Sequence, residues 1–385
     1  MNKEKKDYIV DVAGERVYQN QSKEYSDAYT EWRNNSENKF AYRFVHDTRE
    51  HIYIDGEGYA DEFAAQAERG ALKRCFGFLG ILMLVMLALQ ALYYIVANII
   101  YDNPFFGWVY YSQRDTQPVV TAEQVYLYSV FKILTPAVLI FIVAFVVKIP
   151  HKIAVPNEKF NVRIFTYGIF ISLIFLVVSR CFDYFLTELF SLVNVDISYY
   201  YCTDMDSAAA FGVYYATDML IFPILVEILF RGYVLQLFRQ FGDFFALFLS
   251  AICSACYYHD ISKMMYIFVL SVILGVITIQ NGNLVSTVIT RLAVVNLSSL
   301  LNTISADASN LPLRLIEVAV SLVIIICSFI SLAHMNSGLS KSLELSGDGT
   351  ELTIAQKMRL LISSGWIDVF LLLALVELIL SVRFI

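Results

Sequence analysis

Six apolar stretches read as crossings of a hydrocarbon core: Phe76–Tyr101, Val125–Val147, Ile164–Phe190, Ala208–Leu237, Ile316–Leu332 and Ile367–Leu380. Three shorter or more polar stretches, Phe244–Tyr258, Met264–Gln280 and Leu284–Leu301, bring the expected number of crossings to roughly nine for a core about 30 Å thick. The first 74 residues follow another pattern. Asn34 to Asn38 is polar and turn-like, and Tyr59 to Arg74 carries the Ala, Glu and Gln of a helix leading into the membrane. Too few apolar residues lie in 1–74 for that region to bury a core of its own. Near the other end, Gly347-Asp348-Gly349 is a turn, and Leu352, Ile354, Ala355, Met358 and Leu361 predict a short interfacial helix before the last crossing. The pattern predicts an all-α, polytopic transmembrane helical bundle of about eight to nine helices over 75–385, preceded by a polar region.

Composition supports that reading: 58% of the 385 residues are hydrophobic and only 16% charged, well outside the range of a soluble domain. The net charge of -7 and the absence of a basic run leave no footprint for nucleic acid, so the bilayer is the expected partner. No short basic segment followed by an apolar one marks a cleavable signal, and the first membrane helix is expected to serve for targeting. Basic residues set the orientation. Arg69, Lys73 and Arg74 precede the first helix, Lys148, Lys152, Lys159 and Arg163 fill the second loop, and Lys341, Lys357 and Arg359 precede the last crossing. The loops Asp102–Gln124 and Ser191–Ser207 hold one basic residue between them, Arg114, which puts the N-terminus and the basic loops in the cytoplasm. The cysteines fall mostly in apolar segments and predict no disulfide framework.

An ionisable group in hydrocarbon calls for a partner or a task. The apolar stretches contain Lys132, Arg180, Asp183, Asp218, Glu227, Arg231 and Arg291, with His259 and Asp260 at a helix end. Glu227 and Arg231, four apart, share a helix face and can neutralise each other, which is as much what burial demands as what chemistry would need. Arg180 and Asp183 are open to the same reading. Cys253 and His259 would stand about 9 Å apart along a helix, too far to share one ion. Cys256 with His259 offers two ligands where a catalytic zinc takes about three.

In order, Val226-Glu227-Ile228-Leu229-Phe230-Arg231-Gly232, His259 one helix later, and Gly275 through Asn281-Gly282-Asn283-Leu284 to Asn296 resemble the CPBP family. This family of intramembrane metalloproteases includes the type II CAAX prenyl endopeptidases and the Abi-like bacteriocin-immunity proteins. The resemblance covers about 208–301 and implies a CPBP-like core there. It also implies a water activated by glutamate beside a divalent metal such as zinc, membrane-bound peptide or protein segments as partners, and a bacterial plasma membrane as location. Glu227, Arg231 and His259 match its motifs. Val226 stands where the family has a first glutamate, Ala255 where it has a phenylalanine, and Arg291 and Val295 where it has a histidine and an asparagine or aspartate. Valine cannot act as a base, and arginine offers a metal only donors and a positive charge.

Two functions therefore stand open. One is a non-catalytic protein, a pseudoprotease scaffold or immunity-like factor with no bound cofactor, in which Glu227 sits between Arg231 and Arg291 and His259, Asp260 and Asn296 complete a polar network. The other is a divergent, active, metal-dependent endopeptidase with Glu227 and His259 catalytic and Asp260 or Asn296 as polar ligands. A transporter has little to recommend it, since no pair of broken helices recurs in matching halves.

Overall fold

The computed structural model describes residues 9–11, 21–42 apart from 36, 45–47, 53–54, 58–59, 62–101, 120–196, 205–258, 261–305, 311–335, 350–381 and 383–384. Strands of two or three residues lie at Ile9–Asp11, Val45–Asp47, Tyr53–Ile54, Gly58–Tyr59 and Arg383–Phe384, the last pairing with Val195–Asp196. Otherwise the fold is helical. Its helices are α1 (Lys23–Asn34), α2 (Glu62–Ile100), α3 (Ala122–Val147), the single turn α4 (His151–Ala154), α5 (Val162–Ser191) and α6 (Ala208–Phe241). They continue as α7 (Asp243–Tyr258), α8 (Ile261–Asn281), α9 (Leu284–Ser305), α10 (Leu311–Met335), α11 (Ile354–Ile362) and α12 (Gly365–Ser381).

Among the described residues, seven helices are long and apolar enough to span a bilayer, or eight if α11 and α12, bent by 71° at their junction, form one broken span. The chain is an integral multi-pass membrane protein. The segment over Phe244–Tyr258 is what separates eight from the nine apolar stretches: α7 has 16 residues, about 24 Å of helix, and most of its side chains are buried in protein. Burial grades the bundle. The membrane window of α6 is 72% buried and that of α10 only 6%, so α6 runs through the core while α10 stands at the edge with most of its surface left to lipid.

Two glycines set the closest approaches. A β-carbon on Gly232 would lie 2.5 Å from the Ala154 carbonyl oxygen, so only glycine lets α4 seat against α6 one residue after Arg231. Gly282, at φ 61°, makes the turn from α8 into α9. That turn is tied to the loop before α5: the Asn161 amide donates to Asn281 Oδ1 at 2.7 Å, and the Leu284 amide to the Pro156 carbonyl at 2.9 Å. The first residues of α5 and α9 therefore lie at one level.

Residues 21–42 build no core of their own but complete that of the bundle. Tyr25, Tyr29 and Trp32, on one face of α1, are buried beneath the end of α6. The Tyr29 hydroxyl donates to the Gln236 carbonyl at 2.8 Å, the Trp32 indole to the Val147 carbonyl at 3.2 Å, and the Tyr42 amide to Gln240 Oε1 at 2.8 Å. Arg239 pairs with Asp243 at 2.8 Å across the α6–α7 corner and also donates to the Tyr25 hydroxyl at 3.1 Å.

Candidate functional site

Helix α6 is irregular where it carries its charges. It widens into π turns at Thr217–Ile221 and Ile228–Val234, on either side of Phe222–Glu227. Pro223 has no amide hydrogen, which leaves a carbonyl of the preceding turn without its intrahelical donor. Asn296 on α9 supplies one: its Nδ2 donates to the Met219 carbonyl at 3.2 Å, while the Tyr215 hydroxyl donates to its Oδ1. Asn296 thus serves the backbone of α6 and is not joined by any described hydrogen bond to Glu227.

Glu227 and Arg231 are wholly buried, with Arg231 Nε 3.1 Å from Glu227 Oε2. From α9, Arg291 brings its Nε to 3.9 Å from Glu227 Oε1, close enough for an ion pair but too far for a hydrogen bond. Neither carboxylate oxygen meets a donor in hydrogen-bonding alignment. Arg231 donates to Ser254 Oγ at 3.3 Å, and Ser271 Oγ donates to the same serine at 3.1 Å. Arg291 Nη2 donates to the Tyr258 hydroxyl at 2.5 Å. Among the described residues, one carboxylate against two guanidiniums leaves the cluster one positive charge in excess. The candidate residues His259 and Asp260 lie outside the described residues.

Residues 208–297 match the family model described as Type II CAAX prenyl endopeptidase Rce1-like. The chain carries an Rce1-like domain. No curated protein and no solved structure matches the chain. The Rce1-like domain runs from the start of α6 to the middle of α9, so Glu227, Arg231, Arg291 and Asn296 all lie within it. The divalent metal that this family implies does not fit the described surroundings of Glu227. Its neighbours there are two guanidiniums and hydroxyls, and among the described residues no three His, Cys, Asp or Glu side chains converge.

A cavity of about 210 Å³ adjoins the Rce1-like cluster, with Arg291, Tyr258 and Val295 in its wall. Lys132 and Asp218 face each other in it at 3.9 Å, and the Tyr128 hydroxyl reaches both Asp218 oxygens at 2.9 and 3.0 Å. Arg180 reaches Glu317 on α10 at 2.6 Å and also bonds Asn302. The sequence offers Lys132, Asp218 and Arg180, the last with Asp183 as the neighbour at i+3, but not Glu317. Nor does it offer Tyr258, Ser254 or Tyr128, whose hydroxyls carry no signal that separates them from other aromatic or small residues of a membrane helix. Arg239 and Asp243, four apart at the end of α6, were missed although their spacing repeats that of Glu227 and Arg231.

Proposed function

We propose that the Rce1-like domain serves here as a non-catalytic module, a pseudoprotease scaffold or immunity-like factor that engages membrane-embedded peptide or protein segments without cleaving them. The observation that carries this reading is the Arg291 guanidinium. It stands where the family motif has a histidine and closes the side of Glu227 that Arg231 leaves open, at 3.9 Å against 3.1 Å. A general base must offer a lone pair to a water within hydrogen-bond reach. With a guanidinium beside each oxygen and complete burial, Glu227 is arranged for charge balance.

The test is a cleavage assay in nanodiscs with a prenylated CAAX-type peptide and with unprenylated membrane peptides, run beside Glu227→Gln and with metal content measured on the same preparation. The expected result is no product above the Glu227→Gln background. Cleavage that requires Glu227 and stops on chelation would establish a divergent metal-dependent endopeptidase instead. The same reading places the N-terminus and α4 in the cytoplasm of a bacterial cell. A cysteine introduced for Lys152, which is exposed on α4, should then react with an impermeant maleimide only after the membrane is opened.

A further inference from the structure

The cavity beside Arg291 has a polarity of its own. Of the three cations in its wall among the described residues, Lys132 faces Asp218 and lies 4.2 Å over the Phe222 ring, and Arg180 holds Glu317 and Asn302. Arg291 differs. It is 3% exposed, it meets Glu227 only through Nε, and its Nη1 has no hydrogen-bond acceptor. Beside it the Tyr258 hydroxyl accepts from Arg291 Nη2, which leaves the phenolic proton to be donated. Among the described residues, two donors without acceptors and one positive charge in excess thus meet at one end of a half-open cavity, a combination that burial disfavours unless an anion completes it.

The rest of the cavity defines the remainder of the ligand. Its wall includes the aromatic and aliphatic side chains Phe131, Phe222, Tyr257 and Ile267, with Tyr266 close to Arg291. The carboxylates on the wall are Asp218, taken up by Tyr128 and Lys132, and Asp183. With α5 and α9 starting at one level, Asp183 lies about 30 Å along its helix and Arg291 about 10 Å along its own, so the repelling carboxylate is at the far end. The volume is enough for about seven waters at liquid density, which is room for a body of several carbons.

We propose that this cavity is a binding site for a monocarboxylate carried on an apolar body, its carboxylate seated on Arg291 Nη1 and the Tyr258 hydroxyl. A single negative charge matches the single positive charge in excess among the described residues of the cluster. The proposal is separate from the question of proteolysis.

The test follows the thermal unfolding midpoint of the full chain in phosphatidylcholine nanodiscs, titrated with hexanoate or oleate and, as uncharged controls, with hexanol or oleyl alcohol. The carboxylates should raise the midpoint in a saturable way and the alcohols should not. A response to hexanoate identifies a ligand that enters from water, and a response to oleate alone one that enters from the lipid; either supports the site. Arg291→Met should abolish the shift, and Tyr258→Phe should raise the half-saturating concentration about tenfold. Equal shifts with the alcohols, no shift with any probe, or an undiminished shift in Arg291→Met would overturn the proposal. Should Arg291→Met fail to fold, the Tyr258→Phe titration decides, and an unchanged half-saturation counts against the site. Peptide cleavage measured on the same samples bears on the non-catalytic reading alone, so the two proposals fail separately.

Discussion

At the scale of single residues, charge balance decides which substitutions the protein tolerates. Among the described residues Glu227 is the one carboxylate between two buried guanidiniums, so Glu227→Gln leaves two cations facing each other in a low-dielectric interior. Its expected cost is about 3–5 kcal/mol, seen as a large fall in unfolding midpoint. Arg291→Met leaves a matched Glu227–Arg231 pair and should lower the midpoint by far less, measured in the same nanodiscs. The reverse ranking would mean that Glu227 depends on Arg291 more than the distances of 3.1 and 3.9 Å indicate. The pairing of Glu227 with Arg231 was legible from their spacing. The approach of Arg291 was not, because 63 residues of chain separate it from Glu227 and helix packing decides whether the two meet. Asn296 shows the opposite case. A proline inside an apolar run announces a carbonyl in need of a donor, and the signal was there to follow.

That carbonyl belongs to the scale of elements. Asn296→Ala should cost about 1 kcal/mol by leaving the Met219 carbonyl unpaired in the bundle. Pro223→Ala restores an amide to the same turn of α6, so the double variant should lose less than the sum of the two single variants. A double-mutant cycle on unfolding midpoints measures that coupling, and strict additivity would separate the two residues. Gly232→Ala sets a methyl 2.5 Å from the Ala154 carbonyl oxygen and must push α4 off α6, with an expected loss of about 1–3 kcal/mol. Helix positions were largely readable from apolar run length. Their irregularities were not, because the two π turns depend on what packs around α6 and leave no hydrophobic period behind.

On the scale of the whole molecule, the N-terminal segment changes the picture most. Composition argues against a domain in 1–74; the buried side chains of residues 21–42 belong to the core of the bundle. The stripe Tyr25, Tyr29 and Trp32, at helical spacing, was the available sign that α1 has a face to bury. Trp32→Ala should cost about 3–5 kcal/mol and render α1 sensitive to protease, whereas a peripheral helix would show neither effect. The same arrangement governs when the protein can be finished. The Tyr25 hydroxyl bonds Gln236, 211 positions later in the chain. At ordinary rates of synthesis, α1 is made about 10–40 s before its site exists. For that interval its aromatic face stands in water with nothing to cover it, so a slowed ribosome or a stalled α6 would expose the chain to aggregation long before any defect appeared in the finished bundle.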